Sequence, residues 1–569
     1  MSSRKAPGLD GITAQILRKA WPIIGHEITR LFERCIIEAT FPVSWKEAEL
    51  VIIPKPGKED LASPKPFRPI SLLPVLGKAL ETLIIQDLAE ETDLDAHRQQ
   101  HGFVSGRSTT TAISELYEWT NENRCRHVLG TFLDITGAFD NVRWSPVLSR
   151  LQKKGSTLRT LRIVQSYLQE RTVNLNLEGR TYRRYLERGC PQGSQLGPTL
   201  WRVAMTAVGD IALESTAKVI IYSDDIAVLV GAARPPTALT RIEEYLDGLL
   251  DWARTNGLQF SPGKSQLMSI KGGLKPNYSV GFGSQPDSAR ITASENVKYL
   301  GVTLDPRQSY LDHVLSLKEK NKDMFMRLRR MTSANWGMGR NAARTVYAAV
   351  FLPRITYAAE IWWKACNLKK SIKLLGSMQR DPLLAITSCY RTASTNCLSA
   401  VAGVLPLDLE IQNTVLRGKL RKMEITQDVY ETELVRILNT WQDRYEQSDK
   451  GEWTKKMVPD VGRRYVLPLC LDHYTSQMLT GHGDFLAQLH RFKLVNSPNC
   501  KCTIGGAETV AHVLLRCKRT EKQRAKLIKT LNEEGEGWPP RDGAFLKTQR
   551  TYEALRKFAN DSLRNREDR

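Results

Sequence analysis

Long apolar runs are missing from this chain. None approaches the roughly 18 residues that a membrane-crossing helix needs, so no helical span and no membrane partner are expected. The opening stretch, Met1-Ser2-Ser3-Arg4-Lys5-Ala6-Pro7-Gly8, has no apolar centre, so no secretory signal is expected there. Cysteine is scarce. The 10 cysteines among 569 residues are mostly scattered singly, which argues against a disulfide scaffold and for a reducing, intracellular setting. Acids are in deficit too: 61 Asp plus Glu stand against 82 Lys plus Arg, a formal charge of +21. That imbalance favours an anionic partner, nucleic acid above all. There is no internal repeat and no long low-complexity linker, and the length suits about two to four domains.

What is present centres on Tyr222-Ser223-Asp224-Asp225. Apolar runs flank the acidic pair, Val219-Ile220-Ile221 before it and Ile226 with Val228-Leu229-Val230 after it, and read as a tight β-hairpin. Alone, such a pair is more often a solvated turn or a helix cap. A second element lies 90 residues upstream, where the β-prone run from His127 ends in Asp134. Three carboxylates at two strand ends repel one another and call for cations. Two Mg²⁺ about 3.5–4 Å apart in such a cradle serve phosphoryl and nucleotidyl transfer.

Along the chain, residues 1–125 mix helical stretches with Pro-rich turns. Leu50 to Lys58 reads as a strand entering a basic turn, and Leu76–Leu88 as a helix. Residues 126–270 hold both acidic strand ends, with helices expected at 145–170 and 239–256. From about 311 the pattern is mainly helical. Residues 318–344 carry eight Lys/Arg and two acids, interleaved with Met324, Phe325, Met326 and Leu328. The plainer alternative for this run is a solvated helix face; beside a polymerase core it reads as a helix along a duplex backbone. The final 110 residues read as basic and irregular.

In order, the chain carries Ala6-Pro7-Gly8-Leu9-Asp10-Gly11, Phe67-Arg68-Pro69-Ile70, His101-Gly102-Phe103, Phe132-Leu133-Asp134, Pro191-Gln192-Gly193, Tyr222-Ser223-Asp224-Asp225, Phe260-Ser261-Pro262-Gly263-Lys264 and Tyr299-Leu300-Gly301. This series resembles the reverse transcriptase of non-LTR (LINE-type) retrotransposons, most of all the jockey and arthropod R-element lineages. The core likeness covers about residues 4–305, and the C-terminal part looks like the same lineage.

The resemblance implies an α+β, right-hand polymerase. Fingers and the start of the palm would fall at 1–125 and a palm with an antiparallel sheet at 126–305. A helical thumb would follow at 306–400, a helical connector at 401–490, a zinc knuckle with basic tail at 491–530 and a C-terminal tail at 531–569. It implies that Asp134, Asp224 and Asp225 are the catalytic Mg²⁺ ligands and that Lys264 donates a proton to leaving pyrophosphate. Lys55, Arg68, Ile135, Phe139 and Gln192 would meet the nucleotide, Arg68 through its planar fork and Phe139 as a steric gate against a ribose 2′-OH. Gly193, Tyr222, Leu300 and Gly301 would face template or primer, glycine allowing close approach. Ser223 departs from the alanine expected in this lineage. Asp140 reads as a cap of the following helix.

Near the C-terminus, Cys500, Cys502, His512 and Cys517 form a Cys-x-Cys-x₉-His-x₄-Cys set, the ligand type of one structural Zn²⁺. Seven Lys/Arg and one acid follow within 516–529, suggesting a grip on RNA or target DNA. The expected partners are therefore an RNA template, a DNA primer or target DNA and deoxynucleoside triphosphates. The expected place is the nucleus, with the cytoplasm as the site of ribonucleoprotein assembly. An apurinic-type endonuclease, usual at the start of this lineage, has no counterpart here, nor is there an RNase H pattern; a truncated element product is expected. The rival class is a catalytically retired, host-retained RNA-binding protein, against which the intact Asp134, Asp224 and Asp225 speak.

Overall fold

The computed structural model describes residues 5–55, 67–93, 99–211, 214–282, 288–330, 339–467 and 469–564, with side chains of 325–330 outside the description. The basic turn after Lys55 and the stretch 331–338 therefore lie outside the described residues, as do the side chains of Phe325, Met326 and Leu328. Two compact units divide the chain, Met1–Arg307 and Gln308–Arg569.

Strands of the first unit run in the order β1 (Glu47–Pro54), β2 (Phe67–Leu72), β3 (His127–Thr136), β4 (Arg171–Leu177), β5 (Arg180–Leu186), β6 (Ala217–Tyr222), β7 (Asp225–Ala232), β8 (Gln259–Phe260) and β9 (Gln266–Lys271). A four-stranded sheet has the order β2-β1-β4-β5, with β1 and β4 parallel and the other pairs antiparallel. A five-stranded sheet places β3 at its centre, paired with β7, β8 and β9, while β6 pairs with β7.

Alternation along β3 sorts its side chains. Leu129, Leu133 and Ile135 point to a helical layer, joining Ile226, Val228 and Val230 of β7 in one core. That layer includes Val75–Glu91, Leu158–Leu168, Leu196–Thr206 and Pro235–Asn256, which contribute Leu80, Ile84, Tyr167, Trp201, Ile242 and Leu249. Burying each such side chain stabilises the fold by about 1.5–3 kcal/mol. The opposite parity, Phe132 and Asp134, emerges on the other face.

Helix 145–170 is in fact two helices, Trp144–Lys153 and Leu158–Leu168. Gly155, at φ +95°, turns the chain between them. The second unit is helical, with Leu311–Arg330, Lys369–Thr387, Leu407–Arg421 and Gln427–Glu446 its longer elements. The expected C-terminal tail is a correction: helix Gln549–Leu563 buries Tyr552, Leu555, Phe558 and Ala559 in the same core as Trp441 and Met478. Charged residues between these apolar positions hide a helical period.

Candidate active site

The acidic hairpin forms as its apolar flanks dictate. Tyr222 pairs with Asp225, leaving Ser223-Asp224 as a two-residue turn. Ser223 takes φ +58°, which a small side chain tolerates at modest cost. Its carbonyl accepts a hydrogen bond from the indole Nε1 of Trp201 at 3.0 Å, and Trp201 is fully buried.

Register brings the carboxylates together. Asp134 on β3 lies directly opposite Asp225 on β7, and Tyr222 is opposite Asp225 on its other side. All three share the face away from the helices. Lys264 Nζ donates to Asp134 Oδ1 at 3.1 Å, and its Ser261-Pro262-Gly263-Lys264 turn is tied to the site by Ser261 N–H donating to the Asp134 carbonyl. Burial, then the charges of Asp224 and Asp134, push the Asp225 carboxyl up to about 7. Three carboxylates with one lysine among them make a cradle that fits a divalent cation.

Arg68 is exposed on β2 opposite Ile53, and Lys55 directly follows β1. The Pro191-Gln192-Gly193 turn docks on the end of β2, where Ser71 N–H donates to the Gln192 carbonyl at 2.7 Å. Gly193 has φ +129°, and a Cβ there would sit 2.4 Å from the Ser71 carbonyl oxygen, so only glycine fits. The expected helix-capping role of Asp140 is corrected: it lies within Ala138–Asn141 and accepts from Gln192 Nε2 at 3.0 Å. Asp140 thus orients the side chain expected to meet the nucleotide. Sequence reasoning missed Glu81, a buried carboxylate that accepts from Ser194 Oγ at 2.7 Å and from the Gln195 and Leu196 N–H groups. It holds the N-terminus of Leu196–Thr206, and with it the same turn.

Phe139 is half-buried, stacked on Trp201 at 5.2 Å and edge-on to Phe103 at 5.8 Å. Ile135 is different: its side chain faces the core, so any contact with a nucleotide falls to its backbone. Leu300 and Gly301, at φ +45° and +85°, form the turn of a small hairpin, Val297–Tyr299 with Val302–Leu304. Tyr299 packs on Phe132 at 4.8 Å, which sets this hairpin on the carboxylate face of the sheet.

Behind the acidic turn runs the segment around His101, whose N–H donates to the Ile221 carbonyl at 2.7 Å. Gly102 touches the turn itself, because a Cβ there would lie 2.2 Å from Ser223 N. His101 Nε2 lies 2.6 Å from Glu115, whose other oxygen takes Lys218 Nζ at 2.6 Å. Burial alone would raise the Glu115 carboxyl; the hydrogen bonds of His101 and Lys218 outweigh it and bring it down to about 2. A carboxyl lowered below its unfolded value near 4.5 contributes stability that is present above pH 4.5 and lost as pH falls toward 2. Glu115→Gln is therefore expected to flatten the loss of stability between pH 5 and 3. Urea melts at stepped pH would show it, and an unchanged slope would rule it out.

The family described as reverse transcriptase (RNA-dependent DNA polymerase) matches residues 53–304. A Pol polyprotein from type-1 retrotransposable element R1 4 of Nasonia vitripennis is 32% identical over 277 residues, 45% of this chain and 68% of that protein. The chain belongs to the R1-type retrotransposon reverse transcriptase family. A putative 115 kDa protein in element R1DM of Drosophila melanogaster is 30% identical over 535 residues, 91% of this chain and 52% of that protein. The RNA-directed DNA polymerase from mobile element jockey of Drosophila melanogaster is 27% identical, over 63% of this chain and 40% of that protein. This R1-type chain thus spans about half the length of the long R1 relatives it matches.

The second unit of this reverse transcriptase family member gathers Cys500, Cys502, His512 and Cys517, with ligand atoms all within 4.8 Å of one another. Gly505 and Gly506, both at positive φ, turn the chain back so that Cys500 N–H reaches the Gly506 carbonyl. His512 stands on helix Val510–Leu515, and Cys517 follows that helix, its N–H bonded to the His512 carbonyl. Cys500 and Cys517 sulfurs are 3.7 Å apart, and Cys502 Sγ is 3.4 Å from His512 Nε2. Tetrahedral ligands about 2.3 Å from a zinc ion would be roughly 3.8 Å apart, so donor set and spacing both fit. One of the seven cations read as a nucleic-acid grip is otherwise engaged: Arg524 is buried and donates to the carbonyls of Leu514 and Cys517, bracing the Cys/His cluster.

Proposed function

We propose that this chain is an RNA-directed DNA polymerase that extends a DNA primer along an RNA template. The observation that carries the reading is Asp134 opposite Asp225 at the tip of a β-hairpin, with Lys264 on Asp134. Asp134, Asp224 and Asp225 would hold two Mg²⁺, which when bound ease deprotonation of a primer hydroxyl and neutralise triphosphate charge. Arg68 on β2 and Lys55 just after β1 can approach a triphosphate, Arg68 offering a bidentate fork. Gln192, held by Asp140, offers an amide to a base or sugar. Lys264 can return a proton to departing pyrophosphate.

In this reading the first unit holds fingers and palm, and the helices from Leu311 onward supply thumb and connector. The Cys/His knuckle would carry one structural Zn²⁺ and present Lys518, Arg519, Lys522 and Lys526 to RNA or target DNA. Nuclear action fits that work.

The test is extension of an annealed DNA primer on RNA with deoxynucleotides and Mg²⁺; no extension by the intact chain would sink the reading. In the same assay Phe139→Ala is expected to raise incorporation of ribonucleotides relative to deoxynucleotides by about tenfold or more, since a clash is removed without loss of a hydrogen bond. An unchanged ratio would reject Phe139 as the gate.

A further inference from the structure

The four-stranded sheet has a second surface that the polymerase site does not use. β5 is its edge strand, and Arg180 through Tyr185 are all exposed. Residues 180–186 contain three Arg and two Tyr, with neither acid nor lysine.

Cross-strand register places Arg180 opposite Leu177, Tyr182 opposite Leu175 and Arg184 opposite Val173, so these alternate residues share one face. β1 continues that face through Ala48, paired with Val173, and onward to Ile52 by alternation. Leu177 and Tyr182, on adjacent paired strands, are 53% and 51% exposed, an open apolar platform, and Ile52 of β1, beyond its paired stretch with β4, is exposed as well. Arg68, paired with Ile53, points to the other face, so this platform is separate from the nucleotide contacts proposed above.

The arginines at its ends are uncommitted. Arg183, on the opposite face, lies 3.7 Å from Glu47. Among the described residues, Arg180 and Arg184 meet no carboxylate. Steps of two residues along a strand are about 6.6–6.8 Å, so a ring stands between two guanidiniums at that spacing. A base on an aromatic ring with a phosphate on either side has this alternation, and arginine grips phosphate bidentately. Stacking on a ring requires an unpaired base, which selects single strands over duplex.

We infer that the Arg180–Tyr182–Arg184 face of the β4–β5 hairpin binds single-stranded RNA, the choice of RNA over other single strands resting on the polymerase reading.

The probe is a fluorescent oligouridylate of about 12 nucleotides, titrated in EDTA without primer or nucleotides, so that a failure of polymerisation cannot be mistaken for a failure of binding. Replacing Arg180, Tyr182 and Arg184 together by alanine is expected to weaken binding about tenfold or more. The slope of log affinity against log salt should shallow by about 1.4, two phosphate contacts at roughly 0.7 each. Tyr182→Phe should stay within about twofold of the parent, because the ring is kept. Ultraviolet crosslinking of the unaltered protein to the same oligonucleotide should place adducts in 180–186, a readout that survives even if the triple variant misfolds. Unchanged affinity and slope in a folded triple variant, or adducts only elsewhere, would overturn the assignment. So would loss of self-association in that variant with RNA binding intact, which would give the face to a second copy of the chain.

Discussion

Asp134→Asn and Asp225→Asn are each expected to lower primer extension by about a thousandfold or more, while Asp225→Asn makes the metal-free fold more resistant to heat. Both outcomes follow from one register. Asp134 and Asp225 face each other across β3 and β7, and asparagine keeps their shape while removing the charge that would hold a divalent cation. Several kcal/mol of transition-state stabilisation depend on that cation, and each 1.36 kcal/mol is a factor of ten. The stability effect has the opposite sign. Burial and two neighbouring acids raise the Asp225 carboxyl from 3.8 to about 7, so the fold holds a proton that the unfolded chain releases between those values. Metal-free stability therefore falls as pH rises from about 4 to 7 and stays low above. The asparagine variant removes that fall. Thermal melts in EDTA at pH 8, run beside extension assays, would check both. A variant that loses activity and stability together would show Asp225 to be structural, and one that keeps full activity would dismiss it from the site.

The second large effect concerns the knuckle. Cys517→Ser, or extraction of the metal by a strong chelator, is expected to bring zinc content from one per chain to near zero and to open residues 499–517 to proteolysis. Structural zinc in isolated finger peptides is worth about 10–16 kcal/mol of apparent binding energy at neutral pH, all of it coupled to folding. Here the consequence should spread further. Val513 and Leu514 of the ligand helix are buried in the core that also holds Trp441 and Phe558. Their release would expose that core, so the melting temperature of the second unit should drop by several degrees or more. Metal analysis and limited proteolysis would decide it. An intact cleavage pattern without zinc would mean that packing alone holds the knuckle.

Much of this architecture is legible in the order of the residues. The acidic hairpin announces itself because its flanks are apolar and its turn is polar, and strand period does the rest. The Cys/His cluster shows as four ligand-type residues within 18 positions. What stays hidden depends on contacts remote in sequence. Glu81 looks like any helical acid until the fold brings Ser194 and Leu196 to it. Arg524 reads as one more surface cation, yet it is spent on buried carbonyls. Asp140 matches a helix cap locally, and the Gln192 amide, 52 residues on, claims it instead. Helix Gln549–Leu563 is obscured for another reason: half-buried Glu553 and Arg556 and exposed Lys557 between Tyr552, Leu555 and Phe558 lower its average apolarity, although the spacing is helical.

One indole has a longer reach than its place in the core suggests. Trp201 carries the Phe139 ring on its face and holds the backbone of Ser223 with its N–H. The ring proposed as the sugar gate and the posture of the acidic turn are thus mechanically joined at a single side chain. If residue 139 is the gate, a lineage that altered its choice of sugar there would disturb the turn in the same step. Serine at 223, where alanine is the expectation for the lineage, sits at one end of that linkage. Variation at 139, 201 and 223 should therefore be inherited in matched sets, with each residue free to drift only as far as the other two allow.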